Sequence, residues 1–195
     1  LMTRIVLSYG QQRLWTLACL DRYSASYNVP LALRLKGYLN EQALRHALAT
    51  VVDRHQPLRT TIEPRNRTVP AGRLHAAPAP AHILTIQDIS EVPSAERPTT
   101  LVRMLDELFT LPFDLLEDLP FRAKLLRLDS KDSVFALSLH HCACDGVSMG
   151  ILVNELSLAY NAACAQNSAV LPSLVVQYSD YAAWQQAWLE GGQAL

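Results

Sequence analysis

Strand-like and helix-like segments alternate along this chain, and the sharpest junction between them constrains the fold most. Residues 133–141 read as a strand that is strongly apolar up to Leu139, and a long helical pattern over 147–165 follows it closely. The same alternation runs through the rest of the chain. Ser8 with Gln11 three residues on forms a capping box, after which Leu14, Leu17 and Ala18 recur at helical spacing. Residues 28–37 alternate like a strand that Gly37 ends. Asn40 caps a second helix, with Leu39 and Leu44 as a hydrophobic staple and Ala43, Ala47, Leu48, Val51 and Val52 as its buried face. Pro57 disfavours helical geometry at Gln56, so a strand is expected over 58–63. Residues 64–80, with four prolines, read as a surface loop or irregular hairpin. A short strand over 81–89, a helix over 98–109, a strand over 121–128 and a turn at 129–132 lead into the apolar strand. A final helix near 181–189 places Tyr181, Trp184 and Trp188 on one face and stops at Gly191. The class is α/β or α+β.

Composition narrows the function. The 195 residues are 50% hydrophobic and 18% charged, with 17 basic against 18 acidic side chains. One domain core of ordinary size fits this length without disulfides or metals. A nucleic-acid binder would carry a basic excess, and a membrane-surface helix a dense basic face; neither pattern is present. The longest uncharged run, 156–179, contains Ser157, Asn161, Gln166, Asn167 and Gln177 and is too polar to span a bilayer. Residues 1–7 lack the apolar stretch of a signal peptide, and Cys19, Cys142, Cys144 and Cys164 show no CxxC framework. A cytoplasmic protein with reduced thiols is expected.

The junction itself reads His140-His141-Cys142-Ala143-Cys144-Asp145-Gly146. Strand alternation puts His140 with Ala136 and Ser138 and His141 with Leu137 and Leu139, so one histidine faces a given cavity while the other packs and orients. A helix N-terminus disfavours a nearby imidazolium, which makes a neutral histidine there a candidate general base. Gly146 either admits a ligand at close approach or makes a tight turn. Asp145 is an N-cap, or a buried carboxylate paired with Arg59 or Arg54. Were the strand to continue, His140, Cys142 and Cys144 would share a face, which leaves a metal-binding or scaffold module as a non-enzyme alternative; small core cysteines explain the same residues.

Four segments, in order, resemble the motifs of one family. Ser8-Tyr9-Gly10-Gln11-Gln12-Arg13-Leu14-Trp15 is similar to S-x-A-Q-x-R-L-W, and Arg54-His55-Gln56-Pro57-Leu58-Arg59-Thr60-Thr61-Ile62 to R-H-E-x-L-R-T-x-F. The junction is similar to HHxxxDG, and Tyr178-Ser179-Asp180-Tyr181-Ala182-Ala183-Trp184 to Y-x-D-F-A-x-W. Gly10, Gln56-Pro57, Ile62, Cys142 and Cys144 depart from the usual residues, and none of these positions carries a presumed reacting group. The chain thus resembles the N-terminal half of a nonribosomal peptide synthetase condensation domain, of the chloramphenicol-acetyltransferase-like superfamily.

That resemblance implies the fold, a two-layer sandwich in which a mixed sheet packs against helices, and with it the organisation and the chemistry. Residues 1–190 would form the N-terminal lobe and 191–195 the start of a linker to a C-terminal lobe missing from this sequence, with adenylation or carrier domains as neighbours. The reaction would move an aminoacyl or peptidyl group from a donor carrier-protein thioester to the amine of an acceptor aminoacyl thioester, with an L-configured donor favoured by the first motif. His141 would hold or deprotonate the amine, and Gly146 would keep the loop close to the thioester. His140 would be structural, and Asp145 would form a structural ion pair with Arg59. No cofactor or metal is expected on the domain; phosphopantetheine would arrive on donor and acceptor peptidyl carrier proteins. An epimerization domain and a stand-alone acyl-CoA-dependent acyltransferase are the alternatives of similar fold. The lobe alone is expected to be inactive.

Overall fold

The structure, a computed structural model, describes residues 3–64 and 69–191. In chain order its elements are β1 (Thr3–Ile5), α1 (Tyr9–Leu20), β2 (Asn28–Lys36), α2 (Glu41–Arg54), β3 (Thr60–Pro64), β4 (Pro70–Leu74), β5 (Thr85–Asp88), α3 (Arg97–Thr110), β6 (Phe121–Asp129), β7 (Asp132–His140), α4 (Gly146–Cys164) and α5 (Tyr178–Glu190). A single 3-10 turn, Gln56–Arg59, sits between α2 and β3.

A four-stranded mixed sheet, ordered β2-β7-β6-β5, forms the centre; only β5 runs parallel to its neighbour. All nine residues of β7 are buried, as its apolar sequence requires of a strand covered on both faces. Phe135, Leu137 and Leu139 point at α2 and α4, where they meet Leu44, Leu48, Val51, Leu152 and Leu156. Val134 points the other way, with Leu126 and Leu128, onto Met104 of α3. Each such large side chain contributes roughly 1.5–3 kcal/mol when fully buried. The register Asn28↔His140 brings the start of β2 beside the end of β7, where the histidine motif begins.

The local signals form as written in the sequence. The Ser8 hydroxyl accepts from the Gln11 N–H while the Gln11 side chain accepts from the Ser8 N–H at 3.0 Å, closing the capping box. Asn40 accepts from the Ala43 N–H at 3.0 Å, and Leu39 packs on the core beside Leu44. Several boundaries shift. The strand expected from 58 starts at Thr60, because Gln56–Arg59 takes a 3-10 turn with Pro57 in its opening. The strand expected over 81–89 is confined to Thr85–Asp88, after a turn closed by the His82 N–H on the Ala79 carbonyl. The last helix starts earlier, at Tyr178, where the Asp180 carboxylate accepts from the Gln177 N–H at 2.7 Å.

The proline-rich stretch resolves as an irregular hairpin: β4 pairs antiparallel with β3 and with β1 in a second, three-stranded sheet, while residues 65–68 lie outside the described residues. Gly72 is required there. A Cβ at this position would come within 2.6 Å of Ile5 Cγ1, so a side chain would push β1 off the sheet. Of the linker expected over 191–195, only Gly191 lies within the described residues; it follows α5 with its N–H on the Ala187 carbonyl.

Candidate active site

β7 ends at His140, and residues 141–145 turn the chain into the N-terminus of α4. His141 is therefore a turn residue, not the last residue of a strand. Backbone bonds fix the turn: the His141 N–H donates to the Tyr27 carbonyl at 2.8 Å and the Ala143 N–H to the His140 carbonyl at 2.9 Å. One side chain adds a third tie. Gln11 of α1, whose Oε1 already closes the capping box, donates from Nε2 to the Cys142 carbonyl at 3.1 Å. Both ends of one buried amide thus join the first sequence motif to the histidine motif. The capping pattern in the sequence accounts for only half of that role.

The two histidines have different surroundings. His140 is buried against Tyr27 and Phe113, and its Nδ1 accepts from the Cys142 N–H at 3.2 Å. Burial, with the neighbouring His141 as a lesser cause, pushes its pKa down to about 4. It is a neutral, buried ring at physiological pH. Between pH 6.5 and about 4 the unfolded chain binds a proton that the folded His140 refuses, so stability should fall as the pH drops through that window. The loss should reach up to about 3 kcal/mol. Urea unfolding across that range would show the slope, and a slope unchanged in His140→Asn would refute its origin in this ring.

His141 is exposed, and its imidazole has no hydrogen bond among the described residues. It lines a cavity of about 240 Å³ together with the 3-10 turn, the first turns of α4 and residues 174–178. Gly146 lies at the entrance to α4. A Cβ built there would meet nothing within 4 Å, and its φ is not positive, so the tight-turn account has no basis and open space adjoins its Cα.

The expected ion pair between Asp145 and Arg59 does not form. Asp145 has extended backbone, and its Oδ1 accepts from the Ser148 hydroxyl at 2.6 Å and the Ser148 N–H at 2.8 Å. It is the N-cap of α4, and these bonds hold its carboxyl below the usual range, the hydroxyl contributing most. Arg59, ending the 3-10 turn, instead donates to the Asp53 carbonyl at 3.0 and 3.1 Å and to the His75 carbonyl at 2.7 Å. It satisfies a carbonyl in the last turn of α2, one of the four that a helix leaves unpaired. Asp145→Ala should therefore cost about 1 kcal/mol of unfolding free energy. Urea unfolding checks this, and an Arg59→Ala background in which the Asp145 change had no further effect would show that the two side chains pair after all.

The buried ion pair of this region involves a different carboxylate. Glu155, two turns along α4 and only 5% exposed, accepts from Arg54 Nε at 3.1 Å and meets His55 Nε2 at 2.6 Å. Arg54 also donates to the Pro172 carbonyl. Cys142 and Cys144 are small core residues, each in a hydrophobic cluster; burial pushes their thiols up to about 12 and about 11, so neither supplies a thiolate. Among the described residues no three His, Cys, Asp or Glu side chains group as metal ligands, and no helix is long and apolar enough to cross a membrane.

A mixed sheet that feeds a histidine-bearing turn into a capped helix defines a lobe of chloramphenicol-acetyltransferase-like fold. The starter condensation domain of rhizomide synthetase RzmA superposes with a TM-score of 0.84 at 18% identity, covering 96% of this chain and 46% of that one. The X-domain from teicoplanin biosynthesis superposes with a TM-score of 0.84 at 32% identity, over 98% of this chain and 40% of that one. The chain belongs to the condensation-domain family, whose model matches residues 2–194. Malpinin synthetase of Mortierella alpina is 38% identical over 187 residues, and the dimodular nonribosomal peptide synthase of Bacillus subtilis (strain 168) is 37% identical over 186. These matches cover 96% and 95% of this chain but 2% and 8% of those much longer proteins.

Proposed function

We propose that this chain is the N-terminal lobe of a two-lobed condensation domain that forms peptide bonds between thioester-bound substrates, with His141 as the group that receives the amine's proton. The observation that carries the reading is the His141 imidazole, without a hydrogen bond among the described residues and set at a cavity mouth by backbone bonds on both sides of it. In the reaction the acceptor amine attacks the donor thioester carbonyl. The N–C bond forms, the C–S bond breaks, and the amine's proton passes by way of His141 to the departing sulfur. Much of the rate comes from holding two tethered thioesters in register. Gly146 leaves room for a substrate backbone beside the turn, and Asp145 and His140 hold the turn's shape.

Donor and acceptor peptidyl carrier proteins would bring both substrates on phosphopantetheine, and the first motif favours an L-configured donor. A second lobe would supply the opposite wall. In support of it, α5 presents Tyr178, Tyr181, Trp184 and Trp188 as an exposed ladder with ring centroids 5.4 to 5.9 Å apart, and Val170 and Val175 lie open nearby. The lobe alone would then be inactive, and four free thiols fit the cytoplasm. The test is direct: the complete domain, mixed with one carrier loaded as donor and one as acceptor, should yield the dipeptidyl thioester on the acceptor.

One observation favours a second reading. A complex of the X-domain and OxyB from teicoplanin biosynthesis contains a chain 33% identical to this one, matched over 98% of this chain and 40% of that one, which makes a protein-docking module the competing role. Absence of any dipeptide in the same assay would favour docking.

A further inference from the structure

We infer that the cavity beside His141 is the seat of an apolar side chain on one of the two acyl groups being joined, an inference that rests on the peptide-bond-forming reading. The walls are aliphatic. Leu58 of the 3-10 turn, Ile151 and Leu152 of α4, and Leu174 and Val176 of the segment before α5 line an open cavity of about 240 Å³. That exceeds the cavity of about 150 Å³ that takes up benzene in a protein core, so a leucyl or phenylalanyl side chain fits.

Several polar groups around the cavity already have partners. His55 is held by Glu155 at 2.6 Å. The Gln177 amide uses both ends, accepting from the Gln56 N–H and donating to the Arg54 carbonyl. The Tyr178 hydroxyl shares a bond with Ser8, and Ser148 donates to Asp145. The Cys144 thiol is protonated. Among the side chains that line the cavity, the His141 ring and His55 Nδ1 make no hydrogen bond among the described residues. A ligand pocket is commonly built this way, largely apolar with a few polar groups that fix orientation. A charged or hydrogen-bonding side chain held against the aliphatic walls would lose water without a partner there. The remaining charge at the rim, Asp145, repels an acidic side chain further.

Binding tests this without requiring turnover. The complete domain is titrated calorimetrically with leucyl, phenylalanyl, lysyl and aspartyl amides of pantetheine. The leucyl and phenylalanyl amides should bind at least about tenfold more tightly than the aspartyl and lysyl ones. Ile151→Asp should erase that preference; Ile151 is half exposed, so the change leaves the core intact, and Val176→Asp is the second variant should the first fail to fold. Equal binding of all four amides, or a preference that survives both substitutions, would overturn the inference. Turnover then separates the source: varying the donor group with the acceptor fixed, and the reverse, shows which acyl group enters the cavity. An apolar preference without peptide formation would keep the pocket and sink the catalytic reading; peptide formation without any preference would do the opposite.

Discussion

His141→Ala in the complete domain should lower dipeptide formation from two loaded carriers by about 10²–10⁴-fold, the usual contribution of a positioned acid–base group. The unfolding free energy should stay within about 0.5 kcal/mol of the parent, because the ring is exposed and makes no hydrogen bond among the described residues. The turn that carries it is held by the His141 N–H on Tyr27 and by Gln11 on the Cys142 carbonyl, and alanine keeps both bonds. His140→Ala is the natural contrast. It removes a ring packed against Tyr27 and Phe113 and the acceptor for the Cys142 N–H, so stability should fall along with activity. Rates from single-turnover assays and stabilities from urea unfolding would be read on the same preparations. Turnover near the parental rate in His141→Ala would end the proposal that this residue handles the proton.

The elements that the sequence made legible are those set by local chemistry. Ser8 with Gln11 and Asn40 with Ala43 are caps whose partners lie three residues away, and the apolar alternation of β7 names its own faces. What the sequence left open were partners fixed by tertiary approach. The choice of Arg59 for Asp145 failed because the 3-10 turn directs that guanidinium to the end of α2, while Ser148 takes the carboxylate. A signal for the true ion pair was nonetheless present. Glu155 lies on the helical stripe of Leu152, Leu156 and Ala159, all buried, and a carboxylate on such a stripe has to be paired. Gln11 was harder to read, since a capping box already explains a glutamine at that position and its tie to Cys142 spans 131 residues. The empty space beside Gly146 is likewise a property of the assembled turn and helix.

Glu155→Ala should be the most destabilising of these single changes, by about 3–5 kcal/mol, the cost of removing one partner from a buried ion pair. Against a domain stability of roughly 5–15 kcal/mol this is a large fraction. Arg54 is itself mostly buried, with 17% of its side chain exposed, so losing the carboxylate leaves a cation short of a partner in a poorly solvated position. The damage would also spread toward the site. Glu155 ties α4, whose first turn follows His141, to Arg54 and His55 at the end of α2, and Arg54 in turn reaches the Pro172 carbonyl near the cavity wall. Two comparisons separate charge from packing. Glu155→Gln keeps the shape and one acceptor, and should lose less than Glu155→Ala. A double variant, Arg54→Met with Glu155→Leu, removes both charges together and should recover much of the stability lost in Glu155→Ala, because the desolvation cost disappears with the pair. Urea unfolding at neutral pH ranks the three. Equal losses in the alanine and double variants would show that Glu155 acts through packing alone, and that the wall of the cavity does not depend on this buried charge.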